Sequence, residues 1–268
     1  MNTRAPIGVF DSGIGGLTVV AALMRRLPAE SFLYFGDTAR VPYGPKSPET
    51  VRRYAREIAC WLSAEGVKAI VVACNTATAH GLSALQAELT MPVIGVIEPG
   101  AKAAVAAAHG ETIGVIGTAG TIASGAYARA IWALAPNASV VAQACPLFVP
   151  LVEEGWVDHP ATRLIAREYL APIIAAHARV VVLGCTHYPL LRGILSEVLG
   201  PDVQLIDSAQ ATAEETARIL ERERLCAEPG GAPRAHRFVA SDAPAQFLRI
   251  GQRFLGAAIE RVETVSLG

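Results

Sequence analysis

The chain contains two similar segments in which an apolar run ends in a small residue, a cysteine and polar residues. The first covers residues 70–76, with the sequence IVVACNT, and the second covers residues 180–187, with the sequence VVVLGCTH. Apolar runs rich in β-branched residues are typical of fully buried strands. In an open α/β sheet, ligands bind at the carboxyl ends of the strands. The two segments therefore predict buried strands that each place a thiol, Cys74 or Cys185, where a ligand would bind.

The sequence around these segments is repeated at a nearly constant offset. Residues 113–118, IGVIGT, correspond to residues 7–12, IGVFDS, which stand 106 positions earlier, and Cys185 stands 111 positions after Cys74. Ordered matches at one offset indicate an internal duplication of a single structural unit. We therefore expect two similar lobes whose strand ends, each with its cysteine, point into one cleft.

Strand-like and helix-like patterns alternate along each repeat, which favours a parallel, doubly wound sheet. The segment after residue 208 has no counterpart following the first repeat, and we expect it to return to the first lobe. The prediction is an α/β fold of two pseudo-symmetric doubly wound lobes with mostly parallel sheets and an active site in the cleft between them. Lobe A comprises residues 1–97 and 209–268, and lobe B comprises residues 98–208.

The charge balance and the apolar pattern exclude several classes of protein. The 24 acidic and 23 basic residues leave a formal charge of -1, so no basic face for nucleic acid is expected. The apolar stretch at residues 170–183 is interrupted by Pro172, His177 and Arg179, and a membrane span needs roughly 20 apolar residues. The N-terminus carries no secretory apolar region. We therefore expect a cytoplasmic protein that binds neither nucleic acid nor membrane.

The reactive side chains give no sign of a metal or an organic cofactor. The five cysteines are widely spaced and include no C-x-x-C pair, which disfavours a zinc site or a disulfide oxidoreductase. The three lysines stand away from predicted strand ends, so a pyridoxal Schiff base is disfavoured. Cys60 lies inside a helical pattern and is interpreted as a core residue. We expect no cofactor and no metal.

Two further loops at predicted strand ends carry polar residues. Residues 11–16, DSGIGG, lead into a helix, but Thr18 replaces the third glycine of a dinucleotide fingerprint, which makes that interpretation weak. Residues 38–45 form a long loop with Arg40 and Tyr43, and long loops at strand ends tend to be functional.

Two thiols on opposite faces of one carbon atom can invert its configuration. One thiolate removes a proton while the other thiol delivers one to the opposite face. A helix N-terminus favours the thiolate, and a helix should begin at both Cys74 and Cys185. The carbon acid is weak, so donors must stabilise charge on the adjacent carboxylate. The candidate donors are Ser12, Asn75, Thr76, Thr118, Thr121 and Thr186.

Three ionisable residues are candidates to assist the thiols. His187 follows Cys185 by two positions and would polarise or protonate that thiol, or else cap a helix. Asp11, at the end of the first strand, would serve the Cys74 side in the same way. Glu153 is the weaker candidate, because most glutamates near helix starts are solvated.

Together the motifs resemble those of the bacterial glutamate racemases. The quoted segments are residues 10–16 (FDSGIGG), 36–44 (GDTARVPYG), 73–78 (ACNTAT), 97–100 (IEPG), 117–121 (GTAGT), 145–150 (CPLFVP), 184–189 (GCTHYP) and 206–208 (IDS). The resemblance covers nearly the whole chain, and no core motif departs from the pattern.

The resemblance implies cofactor-independent interconversion of L- and D-glutamate, which supplies D-glutamate for peptidoglycan, and often a homodimer. It implies that Cys74 takes the proton from the D-isomer and Cys185 from the L-isomer, with assistance from Asp11, Glu153 and His187. By the same resemblance, the substrate-binding pairs are Asp11–Ser12, Tyr43–Gly44, Asn75–Thr76 and Thr186–His187.

Three alternatives remain open at this point. The first is a two-cysteine racemase that acts on aspartate or a related acid, because a difference of one methylene in the substrate cannot be recognised from one sequence. A binding module that closes on an amino acid would show affinity without exchange of the α-hydrogen. A thiol peroxidase is disfavoured because neither cysteine has a nearby resolving partner in the sequence.

Overall fold

The computed structural model describes residues 2–228, 235–255 and 258–267. The chain forms two compact units, of which the first comprises Met1–Val96 with Ala209–Gly268 and the second comprises Ile97–Ser208. Each unit is an α/β layer structure in which parallel strands alternate with helices. Along the described residues, no helix combines the length and the apolar character needed to cross a membrane.

The strands, in chain order, are β1 (Ile7–Asp11), β2 (Phe32–Gly36), β3 (Ala69–Val72), β4 (Val93–Gly95), β5 (Ile113–Gly117), β6 (Val140–Ala144), β7 (Val180–Gly184), β8 (Gln204–Asp207), β9 (Arg237–Ala240) and β10 (Glu263–Thr264). The α-helices are α1 (Leu17–Arg26), α2 (Pro48–Ala64), α3 (Asn75–Glu88), α4 (Ile97–Ala108), α5 (Ala119–Ala123), α6 (Ala126–Leu134), α7 (Phe148–Glu153), α8 (Pro160–Ala175), α9 (Arg192–Leu199), α10 (Ser208–Arg222) and α11 (Pro244–Leu255). A short 3-10 helix spans Tyr188–Leu191.

The first unit contains a six-stranded sheet in the order β10-β9-β2-β1-β3-β4, with every pairing parallel. Alternate residues of β1 point to opposite faces, as the two-residue period of a strand requires. Val9 packs with Leu17 of α1 and Leu220 of α10, whereas Phe10 packs with Ile58 of α2. The unit is therefore covered by helices on both faces, which explains why its strands are apolar throughout.

The second unit repeats the arrangement in a four-stranded parallel sheet, β6-β5-β7-β8. This order matches β2-β1-β3-β4 strand for strand, with Ile7 opposite Ala69 in one sheet and Ile113 opposite Val180 in the other. Val181 of β7 packs with Leu170 of α8 in the core of this unit. The predicted fold class, with two similar doubly wound lobes and parallel sheets, is confirmed.

The residues after 208 extend the first sheet. Strand β9 pairs with β2, and β10 pairs with β9, so the segment returns to the unit that contains the N-terminus. Helix α10 contributes Ala213 and Leu220 to the core beneath β1. The tail therefore completes one sheet edge, and it places Ser241 beside the carboxyl end of β2.

Candidate active site

Both candidate cysteines follow the strand next to the central strand of their own sheet. Strand β1 lies between β2 and β3, so the chain passes from β2 across β1 to reach β3, and β5 lies between β6 and β7 in the same way. Such reversals of strand order leave a crevice at the carboxyl ends, where ligands of α/β proteins bind. Asp11 ends β1 and Cys74 follows β3, while Thr118 follows β5 and Cys185 follows β7.

Cys74 is the N-cap residue of α3 and is buried, with 5% of its surface exposed. Its backbone is extended, and its sulfur accepts a hydrogen bond from the backbone N–H of Ala77 at 3.4 Å. Asn75 and Thr76 form the first turn of the same helix and are buried with it. Because the N-terminus of a helix carries partial positive charge, this position stabilises a thiolate.

Asp11 lies in the same crevice of the first unit and is fully buried. Its carboxylate accepts a hydrogen bond from the backbone N–H of Gly13 at 3.1 Å, and the Tyr34 hydroxyl donates to the Gly13 carbonyl at 2.9 Å. A Cβ atom at Gly16 would lie 2.6 Å from the Asp11 Cβ and 2.8 Å from the Tyr34 hydroxyl, so only glycine fits there. Burial, reinforced by the nearby Asp11 and Cys74, raises the pKa of Tyr34 well above its usual range. Tyr34 therefore lies close to both groups.

In the second unit, Cys185, His187 and Glu153 form a connected series. The Cys185 sulfur lies 3.8 Å from Nδ1 of His187, and Nε2 of His187 lies 3.2 Å from Oε1 of Glu153. Cys185 and His187 are buried, whereas the Glu153 side chain retains 35% of its exposure. The His187 side chain makes no capping hydrogen bond to the 3-10 helix. The structure therefore places His187 next to the thiol, and its role there stays a prediction.

The hydroxyl groups of the second unit lie at the same edge of the sheet. Thr118 is the N-cap of α5, where its oxygen accepts from the backbone N–H of Thr121 at 3.2 Å. The two hydroxyls also lie 3.0 Å apart. Thr186, next to Cys185, is buried. These neutral groups follow β5 and β7, as Ser12, Asn75 and Thr76 follow β1 and β3 in the first unit.

Several residues around Cys185 were given no individual role by the sequence analysis. The Tyr188 hydroxyl donates to the Cys145 carbonyl at 2.8 Å. A Cβ atom at Gly184 would lie 3.1 Å from the Tyr127 ring. Burial, with a smaller contribution from Cys185, raises the pKa of the Cys145 thiol. Apolar spacing alone marks these side chains as core, so no local signal singled them out.

Tyr43 and Gly44, predicted to contact substrate, are both buried. The Tyr43 hydroxyl donates to the carboxylate of Asp37, which follows β2 and is itself fully buried. Burial, with the charges of Asp37 and Cys74, raises the pKa of Tyr43. Tyr43 is therefore a neutral phenol, and it belongs to the same unit as Cys74.

The interpretation of Cys60 as a core residue is wrong, because its side chain is exposed on α2. The buried stripe of that helix consists of Val51, Ala55, Ile58, Ala59 and Leu62. Cys60 falls outside this stripe. It is exposed near the C-terminal end of α2, which leads to the amino end of β3 and not to the carboxyl ends of the strands.

The predicted site residues divide between the two units. The first unit holds Asp11, Ser12, Tyr43, Gly44, Cys74, Asn75 and Thr76, and the second holds Thr118, Thr121, Glu153, Cys185, Thr186 and His187. Within each unit they gather at the carboxyl edge of the sheet around one cysteine. In the described part of the chain, the candidate site included, no group of three His, Cys, Asp or Glu side chains is spaced to hold a metal ion.

Comparison with known proteins places this fold among the amino-acid racemases. A family model described as Asp/Glu/Hydantoin racemase matches residues 7–216, and the chain belongs to that family. A glutamate racemase of Syntrophus aciditrophicus (strain SB) is 54% identical over 98% of this chain and 97% of its own length. The resemblance inferred from the motifs is confirmed, and the protein is an isomerase.

Two solved structures show the same fold over the full length. Glutamate racemase isoform RacE1 from Bacillus anthracis superimposes with a TM-score of 0.93 at 40% identity, covering 100% of this chain and 98% of that one. Glutamate racemase from Francisella tularensis subsp. tularensis SCHU S4, solved in complex with D-glutamate, gives a TM-score of 0.92 at 39% identity, covering 99% and 98%.

Proposed function

We propose that this racemase interconverts L- and D-glutamate, with Cys74 and Cys185 acting as the two acid–base groups. The observation that carries the proposal is the repeated placement of a buried thiol after equivalent strands of two similar sheets. Relatives of the same length that bear the name glutamate racemase support glutamate as the substrate. The scheme requires both thiols to reach one α-carbon from opposite faces.

In the direction from D to L, the Cys74 thiolate takes the α-proton and becomes a thiol. The electron pair left on the α-carbon is delocalised into the adjacent carboxylate. The Cys185 thiol then donates its proton to the opposite face and becomes a thiolate. The reverse reaction starts from the Cys185 thiolate, so each turnover exchanges the protonation states of the two cysteines.

His187 and Glu153 support the Cys185 side of this exchange. An imidazolium next to the sulfur stabilises the thiolate, and the Glu153 carboxylate stabilises that imidazolium through the other ring nitrogen. The 3.8 Å and 3.2 Å separations fit this order of groups. On the Cys74 side, the helix N-terminus stabilises the thiolate, and the buried Asp11 carboxylate would act as the base that accepts the thiol proton.

The two carboxylates of glutamate need donors that do not compete for the proton. Hydroxyl and amide groups at both sheet edges supply these donors, and fixed dipoles stabilise the developing charge without reorganising. We assign this role to Ser12, Asn75, Thr76, Thr118, Thr121 and Thr186, together with the Tyr43–Gly44 segment. The product D-glutamate would enter peptidoglycan synthesis in the cytoplasm, and we expect the enzyme to work as a homodimer.

Deuterium incorporation tests the proposal. L-Glutamate incubated with the protein in D2O should give D-glutamate with one deuterium at the α-carbon. Chiral separation isolates the D-isomer, and mass spectrometry detects the deuterium. Absence of label at high protein concentration would exclude a racemase of glutamate. A parallel incubation with aspartate tests the rival substrate. Because the two substrates differ by one methylene, the rates of labelling of glutamate and aspartate should differ by about 10- to 200-fold. Binding of glutamate without exchange would identify a binding module instead.

A further inference from the structure

The loop of residues 38–45, which carries Tyr43 and Gly44, is tied to the rest of the first unit by one buried carboxylate. Asp37 accepts hydrogen bonds from the Tyr43 hydroxyl and, at 2.7 Å, from Nε of Arg40. Its other oxygen accepts from the Ser241 hydroxyl at 2.9 Å. A fully buried carboxylate that accepts three hydrogen bonds is a strong, directional anchor.

The guanidinium of Arg40 balances the charge of this anchor. It binds Asp37 on one side and Glu57 of α2 on the other, and its carbon lies 4.1 Å from the centre of the Tyr54 ring. The Tyr54 ring in turn lies 5.6 Å from the ring of Tyr43. The loop is therefore held by charge and by ring contacts, since Tyr43 contacts the Asp37 anchor through its hydroxyl and Tyr54 through its ring.

The C-terminal tail supplies a second set of contacts to the same loop. The backbone N–H of Ala39 donates to the Ser241 hydroxyl at 2.9 Å. The Thr38 hydroxyl donates to the Asp242 carbonyl at 2.5 Å and accepts from the Asp242 N–H at 2.9 Å. These tail residues follow β9, which is held in the sheet by its pairing with β2. The tail, which has no equivalent in the second unit, therefore contacts the loop directly.

We propose that Asp37 and Ser241 are positioning residues that hold the 38–45 loop in the conformation that binds substrate. The inference rests on the proposed function, because it assigns Tyr43 and Gly44 a contact with glutamate. Because the Tyr43 hydroxyl is hydrogen-bonded to Asp37, the main chain of Tyr43 and Gly44 contacts the substrate. The tail thus sets substrate affinity without touching the substrate.

The test compares Ser241→Ala and Asp37→Asn with a matched control in the same unit. Thr216→Val also removes one buried hydroxyl, which donates to the Thr212 carbonyl at 2.7 Å within α10. Ser241→Ala removes both hydrogen bonds of the Ser241 hydroxyl, to Asp37 and to Ala39, and should raise KM for glutamate about tenfold while kcat changes less than about twofold, as expected when only ground-state binding is weakened. Thr216→Val should leave KM unchanged. Ser241→Thr, which restores the hydroxyl, should return KM towards the parental value.

Limited trypsin digestion under native conditions measures how accessible the 38–45 loop is, independently of enzyme activity. Loss of the anchor should speed cleavage after Arg40 or Lys46 about tenfold, identified by fragment mass, in Ser241→Ala and Asp37→Asn but not in Thr216→Val. Unchanged cleavage and unchanged KM in Ser241→Ala would overturn the positioning role, as would equal effects in the control. If Asp37→Asn fails to fold, Ser241→Ala alone decides. A parent protein without turnover would overturn the racemase proposal, while the digestion would still decide whether the loop is anchored.

Discussion

The imidazole of His187 lies within hydrogen-bond distance of the Glu153 carboxylate, with 3.2 Å between Nε2 and Oε1. Its other nitrogen lies 3.8 Å from the Cys185 sulfur. Three residues from two segments of the chain therefore connect a buried thiol to a half-exposed carboxylate. Because of this arrangement, a change at Glu153 should affect the proton transfer at Cys185 specifically, and that effect can be measured.

Glu153→Gln should lower kcat/KM for glutamate about tenfold, because the imidazolium next to Cys185 loses its stabilising charge. L- and D-glutamate have equal free energies in water, so kcat/KM must fall equally in both directions. Primary isotope effects on kcat/KM, measured with α-deuterated L- and D-glutamate, show which of the two proton transfers the substitution slows. The effect should rise for the L-isomer, whose C–D bond is broken by Cys185, and fall for the D-isomer.

The neighbouring Glu154 provides the control for this measurement. Glu154 is exposed and is the C-cap residue of α7, so Glu154→Gln should leave both isotope effects at their parental values. Equal isotope effects from the two enantiomers in Glu153→Gln would contradict a role of Glu153 on the Cys185 side.

Replacing either candidate thiol should abolish turnover with little loss of structure. Cys74→Ser and Cys185→Ser exchange a buried sulfur for a smaller, far less acidic hydroxyl, and each should lower kcat by at least about 10²- to 10⁴-fold. Circular dichroism and the melting temperature check that the fold persists. Cys60→Ser is the matched control, because that thiol is exposed near the C-terminal end of α2, which leads to the amino end of β3. Racemisation by Cys185→Ser near the parental rate would contradict the two-thiol scheme.

The sequence predicts the sheets and the thiols because their signals are local. The apolar run before Cys185 and the polar residues after it are adjacent in the chain, and the duplication predicts one strand order for both units. Contacts between distant segments leave no such signal. Ser241 reaches Asp37 across 204 positions, and His187 reaches Glu153 across 34. Those contacts depend on which strands pair, and strand pairing is decided by packing of the whole unit.

The error at Cys60 has a different cause. The buried residues of α2 follow the 3.6-residue period, and Ile58, Ala59 and Leu62 define the stripe. Cys60 lies beyond its edge, so counting along the helix places the side chain in solvent. The general tendency of free cysteines to be buried outweighed the periodicity, although the periodicity was the better guide.

Lys68 and Glu30 form a buried ion pair at the amino end of β3, and breaking it should destabilise the first unit. The Lys68 ammonium also donates to the Thr3 carbonyl at 2.6 Å, and Glu30 accepts from the Ala227 N–H at 2.8 Å. Lys68→Met leaves a buried carboxylate without its counter-charge and should cost about 3–5 kcal/mol in the free energy of unfolding.

The double variant Glu30→Gln/Lys68→Met should be less destabilised than Lys68→Met alone, because the amide keeps the acceptor for Ala227 and removes the unpaired charge. Urea unfolding measures the free energy of unfolding of the single and double variants, and the comparison requires that their m-values be equal. A double variant destabilised by the sum of the two single changes would show that the charges act independently. Arg163→Ala, which breaks the more exposed pair with Glu197, should cost much less than Lys68→Met.

His236 should make the stability of the first unit depend on pH. Its Nδ1 accepts a hydrogen bond from the backbone N–H of Phe32 at 3.3 Å, and burial lowers the pKa of the imidazole. Below its ordinary pKa of about 6.5, the unfolded chain therefore binds more protons at this position than the folded chain does. The full contribution of His236 to stability is present above about pH 6.5 and is lost as the pH falls from there through the folded pKa.

His236→Asn retains an acceptor near the position of Nδ1 but does not titrate. The difference in the free energy of unfolding between the parent and His236→Asn should therefore change steadily between about pH 7 and pH 5, with the parent losing stability relative to the variant. Urea unfolding at each pH gives this difference directly. Parallel curves for the two proteins across that range would mean that His236 keeps the same proton affinity in the folded and unfolded states, so its hydrogen bond to Phe32 would not depend on the neutral imidazole.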